Sequence, residues 1–215
     1  MLTILPKYGW EFDMFDNPGK LMSWLKDNTS IYKILWTFYF ISQACLLPVP
    51  LVLYQYFKPF KDHTSALAGI ALVLGVASIT LAISVLIIFP TISPILAEAY
   101  YDKSTHPQYR EMLTLIHSLF ADMAKEIRLF SEILLGFWLS IIGYCFIRRA
   151  KGAFLGWVVL VIGIYTNIAS ILKIIDPYST LEDPLGFILA TMYCYLGIHL
   201  LRYKEELPVN IVRNS

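Results

Sequence analysis

Residues 64–97, "TSALAGIALVLGVASITLAISVLIIFPTISPILA", run for 34 positions without an Asp, Glu, Lys, Arg or His. A helix rises about 1.5 Å per residue, so this run alone outlasts the roughly 30 Å of hydrocarbon in a bilayer. Three further runs repeat the pattern: Ile34–Phe57 with 24 residues, Gly152–Leu172 with 21, and Pro184–Leu201 with 18, of which His199 is the one exception. All are continuously apolar rather than alternating, which excludes strands of a membrane barrel. The 215-residue chain is 57% hydrophobic and only 15% charged, with a mean hydropathy of +0.61. So few charges leave too little polar surface to cover a water-soluble domain. The sequence is that of an all-α, polytopic membrane protein.

The runs predict about five transmembrane helices. The first lies near Ile34–Phe57, kinked or loosened by Pro48 and Pro50, which remove two backbone donors. The second starts near Thr64 and is expected to stop by Pro90 and Pro94, with "PTISPILAEAYY" leaving the membrane or lying along its surface. The fourth and fifth correspond to Phe154–Leu172 and Leu185–Leu201. The third is short. Between Glu132 and Arg148 stand 15 uncharged residues, about 22 Å of helix, so the span must draw in residues from Leu129 onward. The expected organisation is a non-cytoplasmic N-terminal segment over 1–30, a single transmembrane helical bundle over 31–202, and a cytoplasmic tail over 203–215.

Orientation is read from basic residues in short loops. "KPFKDH" carries Lys58 and Lys61, "RRAKG" carries Arg148, Arg149 and Lys151, and the tail begins with Arg202 and Lys204. The loop "DPYSTLEDP" is acidic and lacks a basic residue. This places the C-terminus in the cytoplasm and, with five spans, the N-terminus outside. Lys20, Lys26 and Lys33 ahead of the first span argue the other way. Trp10, Trp24 and Trp36, with Tyr8 and Tyr32, read as aromatics at headgroup level.

The segment before the third span is amphipathic. His117, Asp122, Lys125, Glu126, Arg128 and Glu132 occupy roughly one half of its wheel; Ile116, Leu119, Phe120, Met123, Ile127 and Phe130 fill the other. Starting the span at Leu129 puts Glu132 about one turn inside, and intramembrane charges usually face a bundle interior or a water cavity. Two readings stand. In one, the segment dresses the outer surface and Glu132 snorkels or pairs with Arg128. In the other, Asp122, Glu126, Arg128 and Glu132 line a polar pocket that Asn167 and Lys173 could join from the fourth span.

Small residues recur at helical spacing: Ala71, Gly75, Ser78 and Ala82 in the second span; Gly156, Gly163 and Ser170 in the fourth. Such stripes serve bundle packing, and also allow a membrane-protein partner or a homo-oligomer. Cys45, Cys145 and Cys194 sit singly in apolar segments and read as packing residues. No two histidines share a ligand spacing, so no metal site and no cofactor is expected. A net charge of +1 without a basic tail leaves no case for nucleic acid. There is no P-loop, Gly-rich dinucleotide turn, nucleophile elbow or H-E-x-x-H motif, so no catalytic residue is assigned.

The turn "YQYFKPFKDHTSALA" and the later "FIRRAKGAFLGWVVLVIGIYT" resemble a bacterial family of multi-pass integral membrane proteins catalogued as a domain of unknown function, DUF4386. The likeness covers most of the chain from about Asp16. It implies a further spanning helix ahead of this region, for which the chain begins too late, and it carries no activity to any residue. The reading is an uncharacterised integral membrane protein, structural or accessory. The alternatives are a small transporter or ion-coupled carrier using the polar cluster around Glu132, and an intramembrane lipid-modifying enzyme.

Overall fold

The structure, a computed structural model, describes residues 17–59, 63–102, 106–148, 153–176, 188–189, 191–193 and 195–198. Among the described residues the regular structure is helical throughout, with no strand. The elements are α1 (Pro18–Ala44), α2 (Pro48–Phe57), α3 (His63–Tyr101), α4 (Pro107–Ile147) and α5 (Ala153–Ile175). Among the described residues four stretches are long and apolar enough to cross a membrane: Pro18–Phe57, which joins α1 and α2, and then α3, α4 and α5. The fifth expected span falls largely outside the described residues; those of it that are described are helical. The segments 1–16 and 203–215 also lie outside them.

Local chemistry sets the boundaries. Asn17 caps α1, its side chain accepting from the Lys20 N–H at 3.2 Å, and Pro18 takes the first turn, where a missing N–H costs nothing. Within α1, Asn28 departs from helical dihedrals (φ −124°, ψ 18°). There Asn28 Nδ2 and Thr29 Oγ1 donate to the carbonyls of Trp24 and Leu25 at 3.0 and 2.6 Å. The expected break in the first span falls at Cys45–Leu47, just ahead of Pro48. Proline disfavours helical geometry in the residue before it, and its ring supplies no N–H.

At the other prolines the structure corrects the sequence reading. The helix does not end at Pro90 or Pro94: α3 continues through both prolines to Tyr101, so "PTISPILAEAYY" prolongs the helix of the second span. Each proline removes one hydrogen bond, a loss that packing on both sides absorbs. Trp36 stacks on Phe89 with ring centroids 5.6 Å apart, and Ala97 packs in a core cluster with Leu21, Met22, Trp24, Leu25 and Tyr32. Trp24 and Tyr32, read from sequence as interfacial aromatics, are 7% and 2% exposed and belong to that core.

The chain divides into two compact units, the first from residues up to 52 with 75–131, the second from 53–74 with 132 onward. In the first, α1, α3 and α4 pack through the cluster just described and a second of Val85, Phe89 and Ala124. Ser78 and Ser131 tie α3 to α4 reciprocally, each hydroxyl donating to the other's carbonyl at 2.9 Å. In the second, Phe57 of α2 meets Phe146 of α4 edge to face, and α4 crosses α5 through glycine. A methyl on Gly156 would lie 2.7 Å from the Gly143 carbonyl; one on Gly163 would lie 2.6 Å from the Ser140 nitrogen. The small-residue stripes of α3 and α5 are thus taken up by packing within the units: Ala71, Gly75, Ser78, Gly156, Gly163 and Ser170 are all buried.

Many large apolar side chains stand at the surface of the helices while several polar ones are buried. Val73, Phe154 and Val161 stand 60–75% exposed, while Ser78, Ser93, His117, Thr166 and Ser170 are buried. That distribution is what a hydrocarbon solvent selects.

Candidate functional site

α4 shows how helix periodicity sorts its residues. His117, Ala124, Ser131, Trp138 and Cys145, spaced by sevens, are all buried. A second seam has the alternating three- and four-residue steps of a coiled coil: Tyr109, Met112, Ile116, Leu119, Met123, Glu126 and Phe130. Ile116 is half-buried; the other six are exposed, Leu119 by 56% and Met123 by 58%. All seven lie in the first unit. Leu119, Met123 and Phe130 of the predicted apolar half thus stand exposed beside the exposed Asp122, Lys125, Glu126 and Arg128, while the covered face carries the histidine.

The six sequence candidates divide between the units. In the first, Asp122, Glu126 and Arg128 are all exposed. In the second, Glu132, Asn167 and Lys173 are half-buried. Asn167 lies against Gly136 of α4, with Oδ1 buried and lacking a hydrogen-bond partner. Arg128, Glu132 and Lys173 each engage at least one partner. Among the described residues no group of three His, Cys, Asp or Glu side chains is placed to hold a metal. Cys145 is buried, its Sγ 3.9 Å from the Thr64 carbonyl, whereas Cys45 is exposed.

What the sequence reading missed is a polar cluster joining three helices of the first unit. Tyr32 Oη of α1 donates to Ser93 Oγ of α3 at 3.5 Å, and Ser93 Oγ lies 3.4 Å from His117 Nε2 of α4. Each of the three residues is 2% exposed. Both contacts are long for hydrogen bonds. Phe89 meets the His117 ring at 86°, centroids 6.1 Å apart, and Trp36 stacks on Phe89. His117 Nδ1 is buried with no partner. The one signal in the sequence was position: His117 stands a heptad before Ala124 and two before Ser131, small residues that mark a packed face.

One family model, described as a domain of unknown function (DUF4386), matches residues 12–203. The chain belongs to that family. No curated protein and no solved structure matches it.

Proposed function

We propose that this DUF4386 protein is a structural or accessory component of the bacterial cytoplasmic membrane that docks a helix of another membrane protein on the outward half of α4. The observation that carries the reading is the exposed coiled-coil seam from Tyr109 to Phe130. α4 has 41 residues, about 61 Å of helix, twice the roughly 30 Å of hydrocarbon. If Leu129–Ile147 is the span, the seam stands mostly beyond the hydrocarbon, where an apolar stripe of that length marks a protein contact. By the loop charges, that half of α4 faces outside.

Glu126, the one charge in the seam, selects the occupant. A parallel second copy would set two Glu126 carboxylates against each other at a core position, which is unfavourable. A different chain with Lys or Arg at that level pairs with it instead. The test is a photo-crosslinking residue placed at Leu119 and, separately, at Phe137, which is exposed further along α4. Protein adducts from Leu119, lipid adducts from Phe137, and loss of the Leu119 adduct on Glu126→Lys are the expected results. Lipid adducts at both positions, or a Leu119 adduct of twice this chain's mass, would overturn the reading.

A further inference from the structure

The Tyr32–Ser93–His117 cluster has a direction, and it stands independently of the partner reading. Tyr32 gives its hydroxyl hydrogen to Ser93, which leaves the Ser93 hydrogen for His117 Nε2. That order assigns the neutral His117 tautomer protonated on Nδ1. The resulting N–H is a buried donor with no acceptor.

Spare acceptors lie on the neighbouring turns. Ser93 sits between Pro90 and Pro94 inside α3. Prolines lack the N–H that bonds to the carbonyl four residues back, so the carbonyls of Leu86 and Pro90 are without their helical donors. A buried donor with no acceptor, and carbonyls short of their helical donor, are costly to leave so. One kind of group satisfies both: a hydroxyl.

We propose that the cluster is a binding site for a hydroxyl group, which accepts from His117 Nδ1–H and donates to a carbonyl freed by proline. Water and a lipid-soluble alcohol share that chemistry. The neighbouring aromatics, Phe89 at right angles to His117 and Trp36 stacked on Phe89, suit an alcohol with an apolar body.

The full chain, labelled with 15N-histidine and held in lipid nanodiscs, provides the test. The His117 signal is assigned by its loss in His117→Gln, and 1-octanol is titrated against n-octane as the control. The expected tautomer is Nδ1-protonated. A saturable shift with octanol and none with octane identifies an alcohol site; cross-relaxation to water without an octanol shift identifies a water site. Pro94→Ala returns a donor to the Pro90 carbonyl and should weaken octanol binding about fivefold, the effect of one hydrogen bond, or correspondingly diminish the water cross-relaxation. Should Pro94→Ala fail to fold, Pro90→Ala, which returns the donor to Leu86, makes the same comparison. An Nε2-protonated tautomer, or no response to either octanol or water, would overturn the proposal.

Discussion

Replacing Gly156 by alanine tests the α4–α5 crossing most directly. The added methyl would lie 2.5 Å from the Ile147 nitrogen and 2.7 Å from the Gly143 carbonyl, both backbone atoms that cannot turn aside. Ordinary contact begins at 3.4 Å, so the helices must part by about 0.9 Å locally. A gap of that order forfeits about a quarter to a half of each pairwise attraction across the seam. On α5 the seam includes Leu155, Val159, Thr166 and Ala169, all buried. Overpacking of this kind costs about 1–3 kcal/mol, against which alanine's better helix propensity returns up to ~1 kcal/mol. The expected net loss is about 1–2 kcal/mol. Gly143→Ala, which meets the Leu160 backbone and the Gly156 carbonyl, should cost as much. The double variant should cost less than the two together, because the first methyl already parts the helices for the second. Gly69→Ala is the control: its nearest neighbour is the Tyr54 ring at 3.9 Å, so propensity alone should act. The assay is SDS titration in mixed micelles, followed by tryptophan fluorescence. Unfolding midpoints for Gly143→Ala and Gly156→Ala at or above that of Gly69→Ala would refute the close crossing.

Other expectations follow from burial and pairing. Ser78→Ala and Ser131→Ala each remove one of two reciprocal hydrogen bonds and should each lower stability by about 0.5–1.5 kcal/mol in the SDS titration; no loss from either would deny the pair. Asp122→Ala and Glu126→Ala change exposed groups and should shift stability by no more than ~0.5 kcal/mol, so a larger loss in the SDS titration would restore the polar-pocket reading.

Much of the architecture was legible in the residues. The break at Cys45–Leu47, the continuation of the charged segment into the third span, and the α5 span over most of Ala153–Ile175 follow from proline chemistry, the shortness of the Glu132–Arg148 interval, and the length of an uncharged run. Pro90 and Pro94 misled, because a proline's cost depends on what packs against the flanking turns, and α1 supplies that only in the fold. The candidate residues were chosen by charge, which selects groups that prefer water; Asp122, Glu126 and Arg128 stand exposed accordingly. Tyr32, Ser93 and His117 are 61 and 24 positions apart along the chain, and no local pattern links them.

The sequence by itself determined that this chain is a bundle of membrane helices. An apolar run longer than the hydrocarbon has few other solutions, since backbone groups in lipid must bond within their own helix. It also determined which residues could let helices approach, because Gly, Ala and Ser are small wherever they occur. Only the tertiary structure decided which face of α4 is covered. An amphipathic pattern says that a helix has two faces, but not which of them its neighbours cover. His117 is buried, and Leu119 and Met123 exposed, because of where α1 and α3 stand beside α4.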